Sequence, residues 1–151
     1  MKRSVLLYYV VNTIIHERIK GDCMTWNFTA DRPIYLQLME YLTLNIVSGK
    51  YSPGDKLAPV RDLALEAAVN PNTMQRALSE LERDGLVRAH RTSGRFVTDD
   101  TEVIKKMKTE LAKELVATFF GKMKEIGYSA DETARIVAEK TKEVESKHGN
   151  S

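Results

Sequence analysis

The most constraining feature of the sequence is a pair of short helices with almost no chain between them. The later helix of the pair has a clear start, because Asn70 is a favourable N-cap and Pro71 suits the first helical position. Gly85 supplies the left-handed residue that ends this helix. The earlier helix of the pair starts near Pro59 and reaches Ala68, so only a tight turn fits between the two. Two short helices joined this closely predict a helix-turn-helix.

Apolar residues on both helices, and on a helix before them, recur at spacings of three and four. This periodicity predicts one buried face per helix. The preceding helix ends at Gly49, ahead of a turn signal at residues 52–55. The residues predicted to face the core are Ile34, Leu38, Tyr41, Leu42 and Ile46 in the first helix, Leu63, Ala64 and Ala67 in the second, and Met74, Ala77, Leu78 and Leu81 in the third.

A basic β-hairpin is predicted directly after the third helix. Residues 86–90 and 95–98 have the composition of short strands, and residues 91–94 form the turn. Residues 85–98 contain three arginines, one histidine and no acidic residue, although the net charge of the chain is only +2. A local basic segment on a nearly neutral chain is typical of a small DNA-binding surface. A solvated hairpin without a ligand explains the charge alone equally well.

Polar side chains fill the first turn of the third helix. These side chains offer donors and acceptors suited to bases and phosphates, which favours DNA binding; they are Asn70, Asn72, Thr73, Gln75 and Arg76. Two alternatives stay open at this point. Asn70 caps the helix while the other residues are solvated, or the three-helix unit binds a protein partner.

These segments together resemble the GntR family of bacterial transcription regulators, over about 65 residues in the correct order and spacing. The Asn-Pro-Asn-Thr motif and the short tail resemble its YtrA-like subgroup. The matching segments are residues 33–38 (opening helix), 49–57 (first loop), 60–64 (second helix), 69–77 (recognition helix), 81–87 (entry to the wing) and 94–97 (exit from the wing).

The resemblance implies a winged helix-turn-helix that binds operator DNA. It implies that Arg61 projects toward a base edge, where a guanidinium fork suits guanine. The other DNA-contacting residues that it implies are Asn70, Pro71, Asn72, Thr73 and Arg76 in the recognition helix, and His90, Arg91, Thr92 and Gly94 in the wing. It also implies a repressor, of an operon such as one for an ABC transporter or a cell-envelope stress response.

Two departures from the family pattern affect the helix start and the wing. Ala58 and Pro59 stand where the family has Pro-Ser, so the second helix lacks a hydroxyl cap, a loss of about 1 kcal/mol. Thr92 stands where the family has its first wing glycine. We therefore expect a stiffer or differently turned wing tip.

Residues 99–151 are too few for a typical ligand-binding regulatory domain and predict two helices. An apolar stripe along the first of these two helices ends at Gly127. Ser129 with Glu132 forms a capping box that starts the other, C-terminal helix. Two helices cannot bury this stripe alone, so we expect a symmetric dimer; packing onto the same chain's winged helix is the alternative. The predicted dimer interface consists of Ile104, Met107, Leu111, Leu115, Phe119, Phe120 and Met123.

Residues 1–23 are expected to be a non-native leader or a disordered arm, with Met24 as the native initiator. The apolar run at residues 5–15 spans about 16 Å as a helix, against roughly 30 Å of hydrocarbon. No small-residue cleavage site follows the run, which argues against a secretion signal. A genuine N-terminal arm is the alternative.

The predicted fold is mainly α with a small β-hairpin. Residues 24–98 form the winged helix-turn-helix and residues 99–148 a two-helix dimerisation domain. Cys23 is the only cysteine, which excludes an intrachain disulfide and favours a cytoplasmic protein. No catalytic motif or metal-ligand spacing is present, so we expect neither an enzyme nor a cofactor. No residue marks a site for a small-molecule effector.

Overall fold

The computed structural model describes residues 26–148, and the leader hypothesis for residues 1–23 lies outside them. The chain divides into two compact units between Ala112 and Lys113. The order of elements confirms the predicted mainly α fold with a hairpin after the helix-turn-helix. The elements are α1 (Ile34–Val47), α2 (Val60–Glu66), α3 (Pro71–Arg83), β1 (Val87–His90), β2 (Gly94–Val97), α4 (Thr101–Glu125) and α5 (Ala130–His148). No helix in this described range is long and apolar enough to cross a membrane.

Helix α3 lies at the centre of the first unit's core. It packs against α1, α2 and β1. Its four predicted core residues, Met74, Ala77, Leu78 and Leu81, are all fully buried. Burial of a large apolar side chain stabilises the fold by about 1.5–3 kcal/mol. This packing fixes the rotation of α3 and therefore turns its polar face away from the core.

Helix α1 is buried on almost all sides, whereas the sequence predicted a single buried face. Leu38, Leu42 and Ile46 are buried as predicted, but Ile34 is 42% exposed and Tyr41 only half-buried. The prediction was too narrow, and residues before the helix contact part of the additional buried surface, at Gln37 and Glu40. The additional buried residues are Leu36, Gln37, Met39, Glu40, Thr43, Leu44, Asn45 and Val47.

The segment of residues 26–32 lies along α1 and satisfies two of its buried polar side chains. The Gln37 amide donates to the backbone oxygens of Thr29 and Arg32, and its Oε1 accepts the Thr29 N–H at 2.8 Å. Arg32 forms a 2.7 Å ion pair with Glu40, which is 1% exposed. A buried carboxylate without such a partner would be strongly destabilising.

The turn between α2 and α3 matches the predicted helix-turn-helix. The Oδ1 atom of Asn70 accepts the Asn72 N–H at 2.8 Å, and Pro71 is the first residue of α3, as predicted. Helix α2 starts at Val60, so Pro59 is its N-cap rather than its first helical residue. No side chain caps α2, in agreement with the missing hydroxyl.

The hairpin carries the wing of the motif. Strands β1 and β2 pair antiparallel, with Val87 opposite Val97 and His90 opposite Gly94, within one residue of the predicted bounds. The loop before α2 adds a short third stretch, because Leu57 N–H donates to the Arg95 backbone oxygen at 2.9 Å. Strand β2 is therefore paired along both of its edges.

The second unit contains the end of α4 and helix α5. Gly127 adopts a positive φ of 98° between them. The predicted capping box is formed: Ser129 N–H donates to Glu132 Oε2 at 2.8 Å, and Glu132 N–H donates to Ser129 Oγ at 3.2 Å. Large apolar side chains stay exposed in this unit, namely Val116, Phe119, Ile126, Tyr128, Ile136, Val137 and Val144.

Candidate nucleic-acid interface

The first turn of α3 presents a polar surface to solvent. Asn72 and Arg76 are exposed and Thr73 is half-buried, whereas Met74 is fully buried. Asn70 can serve both as the N-cap of α3 and as a hydrogen-bond donor to a ligand, the two roles that the sequence left open. Its Oδ1 caps the helix, while its exposed side-chain amide retains N–H donors. A helix N-terminus also attracts phosphate through its backbone N–H groups and its dipole.

The arginines of residues 60–98 divide into two groups of three. One group forms ion pairs within the chain: Arg83 with Glu80, Arg88 with Asp99, and Arg95 with Glu82. Arg61, Arg76 and Arg91 form no ion pair with any other residue in the described range. These three exposed arginines are the ones that the family resemblance assigns to DNA. Their charges are therefore not neutralised by the protein.

The three unpaired arginines lie on three different elements. Arg61 is exposed on α2, and the burial of Leu63 and Ala64 fixes the rotation of that helix. Arg91 is exposed in the turn of the hairpin. Arg76 lies on α3, where its Cζ atom stacks 3.7 Å from the ring centroid of Tyr35. The helix-turn-helix and the wing thus both carry unpaired positive charge.

The wing turn accommodates the threonine that replaces the first family glycine. Gly94 has a φ of 101°, whereas Thr92 does not adopt a positive φ. A β-carbon at Gly94 would lie 3.5 Å from Lys56 Cε, an ordinary contact, so the backbone conformation alone requires glycine there. His90 is exposed and packs edge-on against Phe96, with 5.1 Å between ring centroids.

Comparison with known proteins gives a consistent result. A family model described as bacterial regulatory proteins, gntR family, matches residues 34–97. The chain is 39% identical over 105 residues to YhcF of Bacillus subtilis, an uncharacterized HTH-type transcriptional regulator; the match covers 70% of this chain and 87% of YhcF. The chain belongs to the GntR family.

Other GntR proteins agree with this assignment in fold and sequence. A solved GntR family transcriptional regulator from Listeria monocytogenes has a TM-score of 0.68 at 36% identity, covering 74% of this chain and 98% of that one. The B. subtilis repressor YtrA is 37% identical over 70 residues, covering 46% of this chain and 54% of YtrA. The predicted resemblance is confirmed, and this GntR chain is a DNA-binding transcriptional regulator by family.

Sequence reasoning did not predict two contacts beside the candidate interface of this GntR chain. Lys56 lies beside the wing, with its Nζ atom 6.0 Å from the Phe96 ring centroid. Its position directly before Leu57, in the loop that resembles the family, was the available signal. Tyr35 gave no signal, because the sequence does not reveal its contact with Arg76, 41 positions along the chain.

Arg95 has a different role from the one that the charge of the hairpin suggested. It was counted among the basic residues of the wing, but its Nε atom donates to Glu82 Oε1 on α3. Both side chains are largely screened from solvent. In this GntR chain, Arg95 therefore links the wing to α3, and its charge is neutralised.

Proposed function

We propose that this protein is a sequence-specific, dimeric transcriptional regulator that binds operator DNA through α2, α3 and the wing. The observation that carries the proposal is the exposed, unpaired arginines Arg61, Arg76 and Arg91, one each on α2, α3 and the hairpin turn. Arg61 reads a base edge, and Asn72, Thr73 and Arg76 contact DNA at the start of α3. The remaining proposed contacts are Asn70, Pro71, His90, Thr92 and Gly94.

The proposed dimer forms through the second unit. A groove of about 520 Å³ lies there, lined by Phe119 and Met123 of α4 and by Ile136, Val137 and Val144 of α5. Contiguous exposed apolar surface of this kind marks an interaction site. A symmetric partner would cover it, and a dimer suits an operator with two half-sites, one for each recognition helix.

The proposed interface is narrower than the sequence suggested. Met107 and Leu111 are 3% and 5% exposed within a single chain, so they are not available to a second chain. For these two residues we propose the alternative of the sequence analysis, packing onto the same chain's winged helix. The dimer proposal keeps Leu115, Phe119, Phe120 and Met123 in the second unit, and Ile104, which lies in the first unit, stays a separate proposed contact.

The regulatory role proposed is cytoplasmic repression. YtrA is named a transcriptional repressor, and an operon for an ABC transporter or a cell-envelope stress response is the proposed target by resemblance. Repression needs only occupancy of a promoter, which a DNA-binding unit with a small dimerisation region can supply.

A fluorescence-anisotropy titration tests the proposed function. The probe is the DNA upstream of the protein's own gene, compared with a scrambled duplex at low and near-physiological salt. We expect tight binding to the native duplex that survives the higher salt, and weak, salt-sensitive binding to the scrambled one. A second probe comes from a random pool of duplexes, which the protein enriches over several rounds for the sequences that it binds. This probe identifies the preferred sequence even if the operator does not lie upstream of the protein's own gene. Failure to enrich any sequence would leave the winged helix as a protein-interaction module.

A further inference from the structure

The ring of Tyr35, in the first turn of α1, is covered by the guanidinium of Arg76. The Cζ atom of Arg76 lies 3.7 Å from the ring centroid, which is van der Waals contact. A planar guanidinium at this distance is attracted by the electron density of the ring face and by dispersion. Tyr35 is half-buried and Arg76 exposed, so the ring holds the cation at the protein surface.

The position of Tyr35 is itself fixed by the core. The helix that carries it packs against α3, and nearly all of the residues that follow Tyr35 in this helix are buried. Arg76 lies one residue before Ala77, which is fully buried. The backbones of α1 and α3 are therefore held in fixed positions relative to each other. The stack then restricts the conformations left to the Arg76 side chain.

An aromatic partner orders an arginine without neutralising it. The ion-paired Arg83, Arg88 and Arg95 are also ordered, but each would have to leave a carboxylate before binding phosphate or a base. A guanidinium stacked on a ring keeps its N–H donors directed outward in its own plane. Because ordering a long side chain on binding costs free energy, a stack made beforehand reduces that cost.

We propose that Tyr35 is a positioning residue for Arg76, and that its ring sets the strength and base preference of the contact between Arg76 and DNA. This inference rests on the proposed function. It gives α1, otherwise a core helix, a part in specificity. The ring and not the hydroxyl carries the effect, so phenylalanine replaces Tyr35 and leucine does not.

The stack is tested first without DNA, by NMR. Its ring current shifts the Cδ protons of Arg76 upfield in the wild-type protein and in Tyr35→Phe. Their signal is assigned by its loss in Arg76→Ala. In Tyr35→Leu we expect these protons at ordinary arginine shifts. Unshifted protons in the wild-type protein, or the same shift in Tyr35→Leu, would overturn the proposed stack.

The effect on recognition is tested by anisotropy at one salt concentration, with a duplex enriched from a random pool by the wild-type protein and with a scrambled duplex. Tyr35→Leu should weaken binding to the enriched duplex about threefold to fivefold and change binding to the scrambled duplex less than about twofold. Tyr35→Phe should bind both duplexes as the wild type does. Equal weakening by Phe and Leu would overturn the role of the ring.

A double-variant cycle tests whether Tyr35 acts through Arg76. Arg76→Ala should weaken binding to the enriched duplex about fivefold or more. Adding Tyr35→Leu to Arg76→Ala should cause no further loss, because the two residues act as one unit. Independent, multiplicative losses would contradict the proposal.

Tyr41→Leu is the matched control. Tyr41 is a half-buried tyrosine of the same helix, but it stacks on Trp26, with 3.8 Å between ring centroids. Its loss should leave the ratio of affinities for the two duplexes unchanged. A fall in this ratio equal to that of Tyr35→Leu would mean that the effect is general destabilisation. If the pool yields no preferred duplex, the proposed function fails, while the NMR measurement still decides whether the stack exists.

Discussion

Ala68 has a backbone conformation that residues with a β-carbon rarely adopt. Its φ is 53° in the turn between α2 and α3, which costs an L-residue about 1–2 kcal/mol relative to glycine. Ala68→Gly should therefore raise the free energy of unfolding by about 0.5–1 kcal/mol, after the larger chain entropy of unfolded glycine is subtracted. Urea denaturation measures the change.

Ala67 provides the control for this substitution. It is buried and has an ordinary helical φ of −80°. Ala67→Gly should lower the free energy of unfolding, since glycine gains nothing at that backbone conformation. Equal effects of the two substitutions would show that strain at Ala68 is not being relieved.

Residues whose role depends on their sequence neighbours could be predicted, whereas residues that act across the fold could not. Asn70 and Pro71 are recognised by local capping rules, and the structure places both as predicted. The stack of Tyr35 on Arg76 joins distant parts of the chain, so no sequence period reveals it. The ion pair that neutralises Arg95 is non-local in the same way.

At the scale of elements, the capping box makes the stability of the start of α5 depend on pH. The backbone N–H and the hydroxyl of Ser129 hold the pKa of Glu132 below its ordinary value of 4.5. A carboxylate whose pKa is lowered in the folded state contributes stability above its unfolded pKa, and this is lost as pH falls through the folded value. Acidification below about pH 4 should therefore loosen α5.

Glu132→Gln tests this pH dependence. The variant should show a shallower loss of thermal stability between about pH 5 and pH 2 than the wild type, because it has no proton to take up. Circular dichroism melting across that range measures the difference. Glu139→Gln, in the exposed middle of the same helix, is the control and should retain the wild-type slope. Parallel slopes for Glu132→Gln and the wild type would contradict the linkage.

The accuracy of the element predictions depended on how many sides of each element are covered. Helix α3 has one buried face, and its periodicity identified all of its core residues. Helix α1 is also covered by residues 26–32, which have no regular pattern of their own, so its periodicity showed only one of its buried faces. The predicted domain boundary at residues 98/99 followed the end of the wing and stays a prediction. The compact units divide inside α4, beyond the buried Met107 and Leu111.

At the scale of the whole molecule, the proposed dimer predicts that Phe119→Asp yields a monomer. Phe119 lines the apolar groove of the second unit and is 40% exposed, so a carboxylate there would be desolvated by a partner. Loss of the second half-site contact should weaken operator binding about 100-fold or more. Ala117→Asp, exposed on the same helix, should remain dimeric. A Phe119→Asp protein that sediments as a dimer would place the interface elsewhere.

The most direct test of the account compares Arg61→Ala with Arg88→Ala. Both arginines are exposed in the first unit, but only Arg88 is ion-paired, with Asp99. Affinities for the enriched and the scrambled duplex are measured by anisotropy at near-physiological salt. Arg61→Ala should weaken binding to the enriched duplex about 5- to 150-fold, with far less effect on the scrambled one, while Arg88→Ala should change both affinities less than about threefold. Equal losses for the two variants, or an Arg61→Ala loss equal on both duplexes, would contradict the claim that the unpaired arginines read DNA.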